Sequence, residues 1–119
     1  MYKIIFYADK RGRSPTWEYI KELSVRGDKD GRIKADKIND YIQALQVYGK
    51  RAGEPYIKRL EGEIWEIRPL RDRILFAAWH NDSFIILHHF VKKTQKTPAR
   101  EIEQAKRNLA DYIERSNSL

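Results

Sequence analysis

Residues 64–93 read IWEIRPLRDRILFAAWHNDSFIILHHFVKK, and this stretch decides the fold. Its apolar runs are long enough for strands and are separated only by Pro69-Leu70-Arg71 and Asn81-Asp82. Links this short favour antiparallel neighbours. With a turn at Glu61-Gly62, the pattern predicts strand segments over residues 57–60, 63–68, 73–80 and 84–92.

On the amino-terminal side, residues 3–8 predict a short first strand. Ser14-Pro15 then predicts a helix start, with serine as N-cap and proline at the first helical position. The apolar face of this helix is Trp17, Ile20 and Leu23. The polar segment 26–32, which contains two glycines, is predicted to end it.

A second helix is predicted from one apolar stripe that ends before Gly49 and Gly53. The stripe is Ile38, Tyr41, Ile42, Leu45 and Tyr48. A short turn between two amphipathic helices indicates an antiparallel helical hairpin. Thr97-Pro98 predicts the start of a last helix, again as N-cap and proline. Its buried face is Ile102, Ala105, Leu109, Tyr112 and Ile113, and residues 116–119 are expected to fray.

These elements predict one α+β domain over residues 1–119. We expect the order β-α-α-β-β-β-α, with a mainly antiparallel sheet packed on the helical hairpin and a C-terminal helix.

The chain is basic, with 24 Lys and Arg against 17 Asp and Glu, a net charge of +7. A small basic domain attracts polyanions, of which nucleic acid is the commonest. The alternative is a cationic surface with no nucleic-acid partner, and charge alone does not separate the two.

The sequence gives no support for several kinds of functional site, for secretion or for a membrane span. Without cysteine there are no disulfides, thiolate metal sites or cysteine nucleophiles. We find no glycine-rich phosphate loop, and we expect neither cofactor nor metal. The first seven residues do not resemble a signal peptide, and residues 74–79, the longest uncharged apolar run, are too short for a membrane span. We therefore expect a soluble, cytoplasmic protein.

The positive charge is concentrated between residues 68 and 100. Only Asp72 and Asp82 accompany seven cations there: Arg68, Arg71, Arg73, Lys92, Lys93, Lys96 and Arg100. Because Arg73 begins one predicted strand and Lys93 ends the next, we expect these two to face each other. Such a patch suits a phosphate backbone, and Arg71, Lys92 and Arg100 are candidates to bind it. The alternative is a solvated charged rim.

Strand alternation places Glu66 with Arg68 toward this patch and turns Trp65 and Ile67 to the core. Glu66 is a candidate to orient the cations or accept a proton, or is a plain salt-bridge partner. His88 and His89 point to opposite faces, so they cannot share a metal ion. His89 falls on the same face as Lys93 and is a second acid–base candidate, although a hydrogen-bonded sheet histidine is the commoner role.

A longer pattern carries a family resemblance. IWEIR (residues 64–68), Arg73 opening an apolar strand, and HHFVKKTQKTP (residues 88–98) leading into a helix with Glu101-Ile102 resemble the phage-derived HigB-type branch of the RelE/ParE toxin superfamily. FVKKTQKTP is the most specific part. The resemblance covers residues 57–113 well, and the first half matches in element order and size.

The resemblance implies a RelE-like fold and a toxin–antitoxin role. The activity would be metal-independent endonucleolytic cleavage of mRNA, usually on the ribosome, which blocks translation. The partner would be a helix-turn-helix antitoxin, and the complex would bind its operator DNA. An alternative is a ParE-like inhibitor of DNA gyrase without nuclease activity.

Site residues follow position by position. Arg73 matches the arginine that binds the scissile phosphate, Lys96 matches a cation after the last strand, and Arg68 and Lys93 match further basic positions. These four are the candidate catalytic residues, and with mRNA as the implied substrate Arg71, Lys92 and Arg100 are the candidate RNA-binding residues. The chain departs from relatives that carry Tyr or His near the last helix, since neither occurs between Arg100 and Tyr112. Lys93 and Lys96 are therefore further candidates for proton transfer, beside Glu66 and His89.

Overall fold

Five strands form one mixed sheet in the computed structural model, which describes residues 1–117. The strands are β1 (Lys3–Phe6), β2 (Ile57–Glu61), β3 (Ile64–Ile67), β4 (Asp72–Trp79) and β5 (Ser83–Val91). Their order across the sheet is β1-β5-β4-β3-β2. The pairs β2–β3, β3–β4 and β4–β5 are antiparallel, and β1 lies parallel to β5. The predicted α+β class and mainly antiparallel sheet are confirmed.

Three α-helices accompany the sheet. They are α1 (Pro15–Val25), α2 (Lys29–Tyr48) and α3 (Ala99–Asn117), and a 3-10 turn, Gly49–Ala52, follows α2. Among residues 1–117, none of these helices has the length and apolar character needed to cross a membrane. Ser116 and Asn117 belong to α3, and the rest of the tail that was expected to fray lies outside the described residues.

The predicted element order is one strand short. Four strands follow the helical hairpin, because residues 57–61 and 64–67 are separate strands that pair across the Glu61-Gly62 turn. Gly62 has a φ of 56°, a left-handed conformation that glycine adopts without a steric penalty. The four segments identified from the sequence match these strands, but the predicted order counted only three.

Helices cover both faces of the sheet. One face packs against α1 and α2 through a cluster that includes Ile20, Ile38, Leu45 and Phe76. The opposite face packs against α3 through Leu75, Ile85 and Leu109, among others. Both alternating sets of side chains on β4 therefore lie in a core, and β4 is buried from Asp72 to Ala77. The expectation that Trp65 and Ile67 form the buried face of β3 is confirmed only for Ile67, since Trp65 is partly buried while Ile64 and Glu66 are buried.

The turn between α1 and α2 is shorter than predicted. Residues 29–32, expected to belong to the turn, form the first helical turn of α2. Gly31 is buried there, and a Cβ atom at this position would lie 2.8 Å from Asp28 Oδ1 and 3.1 Å from Arg26 Cβ. This glycine therefore permits close packing at the helix start rather than ending a helix. Trp17, predicted to face the core, is half exposed and contacts Phe6 edge to face.

The residues before α1 and α3 use their hydroxyls differently from the prediction. Ser14 is the N-cap residue of α1, but its hydroxyl donates to the carbonyl oxygen of Tyr7 (2.8 Å). Helix α3 begins at Ala99, and the Thr97 hydroxyl donates to Glu66 Oε1 (2.8 Å). Each hydroxyl thus ties the start of a helix to another part of the fold.

Gly49→Ala should destabilise the protein more than Gly27→Ala. Both glycines have positive φ, and alanine costs about 1–2 kcal/mol of backbone strain at Gly27 and about 1–3 kcal/mol at Gly49, whose ψ of −146° lies in a region that essentially only glycine adopts. A Cβ at Gly49 would also lie 2.7 Å from Tyr2 Cε2, whereas a Cβ at Gly27 meets nothing within 4 Å. We expect this overlap to lower the free energy of unfolding by roughly a further 1–3 kcal/mol, measured by urea denaturation. Equal losses in the two variants would contradict the packing described for Tyr2.

Candidate nucleic-acid interface

A cleft of about 330 Å³ opens where β2, β3 and β4 meet the segment after β5. We call it the central cleft. Its lining residues are Lys58, Arg59, Leu60, Glu66, Arg68, Arg73, Phe90, Lys92, Thr94, Gln95, Lys96, Thr97 and Ile102. Antiparallel pairing brings them together, because the first residues of β2 and β4 lie beside the last residues of β3 and β5.

The lining of the central cleft is strongly cationic, with six Lys and Arg side chains and one carboxylate, Glu66. Of the predicted cations, Arg68, Arg73, Lys92 and Lys96 are there. Lys58 and Arg59 were not predicted. The register of the β2–β3 pair could have identified this part of β2, because Lys58 lies opposite Glu66. The arrangement can hold an anionic group by charge and by the planar donors of two arginines.

Arg73 lies deeper than the sequence suggested. It is only 6% exposed, and it pairs across the sheet with Phe90 rather than facing Lys93, so the predicted Arg73–Lys93 pairing is wrong. Its Nη1 donates to the carbonyl oxygens of Leu70 (2.9 Å) and Asp72 (2.8 Å). Burial, followed by the nearby charge of Arg68, lowers the pKa of Arg73. Arg73 therefore braces the β3–β4 turn while it lines the cleft.

Glu66 connects three parts of the central cleft. It is 2% exposed, its Oε1 accepts from Thr97, and its Oε2 lies 3.6 Å from Arg68 Nε. Arg68 Nε is buried and has no hydrogen-bond partner in the part of the chain that the structure describes. Because this nitrogen is buried and faces the Glu66 carboxylate, a bound anion would meet the exposed part of the Arg68 side chain instead.

The remaining predicted cations line two neighbouring clefts. The first, here the Leu70 cleft, is about 370 Å³ and is lined by Leu70, Arg71, Arg73, Lys92, Lys93, Thr94 and Gln95. The second, the Arg100 cleft, is about 390 Å³ and is lined by Phe90, Val91, Lys93, Thr94, Pro98, Arg100 and Glu101. Lys93 borders both of these clefts and does not line the central one.

His89 does not line any of the three clefts. Its Nδ1 hydrogen-bonds Thr16 Oγ1 (3.1 Å), and its ring stacks on Tyr19, whose hydroxyl donates to Asp72 Oδ1 (2.5 Å). Burial, followed by the charge of His88, lowers the pKa of His89, and burial also raises the pKa of Tyr19. Of the two roles considered for His89, its contacts match the hydrogen-bonded sheet histidine, and the acid–base role in the groove is not supported.

A bulge in β5 explains the orientation of His89. Leu75 pairs with His88 and Phe76 pairs with Ile86, so Leu87 is an extra residue opposite β4. With regular alternation from Ile85, His89 would face α3. The bulge turns it toward α1.

His88 was not among the predicted site residues, yet it lies closer to the clefts than His89. Its Nε2 hydrogen-bonds Oε1 of Glu101 (2.7 Å), which lines the Arg100 cleft. The two histidines thus contact different helices, as alternation predicted for neighbouring strand residues. Within residues 1–117, no group of three or more His, Cys, Asp or Glu side chains is arranged to hold a metal ion.

Arg73→Ala should lower the free energy of unfolding by about 1–3 kcal/mol, because two backbone carbonyls at the β3–β4 turn lose their donor. Arg100→Ala is the matched control, since its side chain is largely exposed, and it should change stability by no more than about 0.5 kcal/mol. Urea denaturation monitored by tryptophan fluorescence measures both variants. Indistinguishable midpoints would show that Arg73 does not brace the turn.

Stability should fall as the pH drops below about 6.5, the ordinary pKa of histidine. Because the pKa of His89 is lowered in the folded state, the unfolded chain binds the proton first. The stabilisation is complete above pH 6.5 and is lost as the pH falls toward the folded-state pKa. His89→Gln should show a smaller loss between pH 7.5 and 5.5 in urea melts. An unchanged pH dependence in this variant would assign the effect to other groups.

Comparison with known protein families matches residues 18–110 to the family described as phage derived protein Gp49-like (DUF891). This range covers more than half of the chain and includes β2 to β5 and most of α3. No curated protein sequence matches the chain. The chain therefore belongs to the Gp49-like family, which is a family of toxin–antitoxin toxins of the RelE/HigB type.

Proposed function

We propose that this protein is a HigB-type toxin with a RelE-like fold that cuts mRNA on the ribosome and so blocks translation. Toxins of this type are often endoribonucleases. The observation that carries the proposal is the central cleft, where Arg68, Arg73 and Lys96 surround the buried carboxylate of Glu66. A cleft with six cations and one carboxylate fits a phosphodiester better than a neutral or cationic ligand.

The proposed reaction is attack of a ribose 2′-oxygen on the adjacent phosphorus. The bond from phosphorus to the 5′-oxygen breaks, which leaves a 2′,3′-cyclic phosphate and a 5′-hydroxyl. One proton leaves the 2′-hydroxyl and one reaches the departing 5′-oxygen. Negative charge builds on the phosphoryl oxygens in the transition state, where fixed cations stabilise it most. Arginine and lysine side chains can supply this stabilisation, so we propose a metal-independent reaction.

Their contacts favour different roles for the two arginines. Arg73 Nη1 is already engaged by two carbonyl oxygens, so Arg73 supplies fixed positive charge. Arg68 lines the same cleft with 32% of its side chain exposed, so we assign its guanidinium the direct hydrogen bond to the phosphate. Glu66 orients Arg68. Of the two lysines considered for proton transfer, Lys96 is preferred, because Lys93 lies outside the central cleft.

Membership of a toxin–antitoxin family implies an antitoxin partner. We propose a helix-turn-helix antitoxin that places acidic residues over or near the central cleft, and operator DNA as a ligand of the complex. Opposite charge across such an interface speeds association and selects the partner. Co-expression with the neighbouring gene should yield a tight complex and restore growth.

Mapping of mRNA 5′ ends after induction tests the proposed activity. We expect new ends within translated messages, and we expect purified toxin to cut ribosome-bound message. Naked RNA should be cut weakly or not at all. Intact messages together with an early change in plasmid supercoiling would instead favour a ParE-like gyrase inhibitor.

Arg68→Gln should reduce cleavage of a ribosome-bound reporter message about a hundredfold, the usual effect of losing one transition-state donor. Its free energy of unfolding should fall by about 1–3 kcal/mol, because the buried carboxylate of Glu66 loses a compensating charge. Arg107→Gln, an exposed change on α3 outside the three clefts, is the control and should cut normally. A folded, fully active Arg68→Gln variant would remove Arg68 from the reaction.

A further inference from the structure

The Leu70 cleft continues the cationic surface beyond the central cleft. The two clefts share Arg73, Lys92, Thr94 and Gln95. The Leu70 cleft adds Arg71 and Lys93, so four cations and no carboxylate line it. A strand of phosphates that lies in the central cleft can therefore pass Arg73 and enter a second cationic space.

Leu70 is an unusual residue at the rim of this space. Its side chain is 50% exposed, and its φ is 58°, a left-handed conformation that disfavours leucine. Glycine or asparagine is the usual choice at such a position. The conformation is maintained by Arg73, whose Nη1 bonds the Leu70 carbonyl oxygen. Strain of this kind often accompanies functional surfaces, where an apolar side chain is presented to a ligand.

Hydrogen bonds fix the backbone segments that carry the cations of the Leu70 cleft. Arg71 Nη2 donates to the carbonyl oxygen of Lys92 (3.0 Å), and the amide of Lys92 donates to the carbonyl oxygen of Arg71 (2.7 Å). These bonds join the β3–β4 turn to the segment after β5. Lys93, the next residue, is exposed beside this junction. The turn and the loop thus form one surface, on which the distance between Arg71 and Lys93 is fixed before a ligand binds.

We propose that the Leu70 cleft is a second nucleotide subsite for the substrate RNA. Arg71 and Lys93 bind the phosphate next to the one in the central cleft, and Leu70 packs against the unstacked base of that nucleotide. Single-stranded RNA suits both features, because its bases are free to leave the stack. This inference rests on the proposed function, since it requires that RNA occupies the central cleft.

Binding of fluorescent 2′-O-methyl oligonucleotides tests the subsite, because these RNAs lack the attacking hydroxyl and stay intact. A dinucleotide, which has one phosphate, is compared with a pentanucleotide by anisotropy at several salt concentrations. Lys93→Gln should lower the salt dependence of pentanucleotide binding by about 0.7 in log K against log salt, the value for one phosphate contact in single strands. It should leave dinucleotide binding unchanged.

Leu70→Asn should weaken pentanucleotide binding about fivefold, which corresponds to roughly 1 kcal/mol of apolar contact, and should not alter the salt dependence. Because asparagine tolerates the left-handed conformation, this variant should melt at or above the wild-type temperature. Binding and stability therefore change independently, which a purely structural role for Leu70 does not predict. Arg107→Gln again serves as the control.

The possible outcomes test the subsite separately from the proposed function. If the wild type binds both oligonucleotides, Arg68→Gln weakens both, and the Leu70 and Lys93 variants match the wild type, then the subsite is overturned and the proposed function stands. If the wild type binds neither oligonucleotide, the subsite is overturned, whereas the proposed function is decided separately by cleavage of the ribosome-bound message.

Discussion

The hydrogen bonds from Arg73 Nη1 to the carbonyl oxygens of Leu70 and Asp72 are the contacts on which the candidate site depends. They join the first residues of β4 to the turn that precedes it. Through this turn they set where Arg68 and Leu70 stand, and therefore the shapes of two of the clefts. Arginine bonds both carbonyl groups with one nitrogen and has two further nitrogens with which to line the cleft, whereas a lysine has one nitrogen for both tasks.

Several charged side chains around Arg73 are buried away from water. Glu66, Asp72 and Arg73 are all buried, and they lie where the two cores on either side of the sheet come to an end. Each buried charge is compensated by a partner: Thr97 and Arg68 for Glu66, Tyr19 for Asp72, and backbone carbonyls for Arg73. Removal of one partner leaves a desolvated group, so the site cannot be altered piecemeal without some loss of stability.

Much of the fold could be predicted because its signals are local. The strand segments, the helical hairpin and the buried face of α3 follow from apolar periodicity, and the clustering of Arg68, Lys92 and Lys96 follows from antiparallel pairing. The burial of Arg73 could not be predicted, because it depends on which face of the sheet α3 covers, and the sequence pattern does not say. Nor could the orientation of His89, which depends on one extra residue at Leu87 that strict alternation does not include. The chemical roles of these residues remain predictions.

Lys58 and Arg59 lie on β2, which is an edge strand of the sheet. The free backbone groups of an edge strand invite pairing with a strand of another chain, and exposed lysine and arginine oppose it by repulsion. The charges that attract phosphate therefore also protect the protein against aggregation. An acidic partner that neutralised Lys58 and Arg59 would cancel this protection, and it would itself have to cover the β2 edge for the complex to stay in solution.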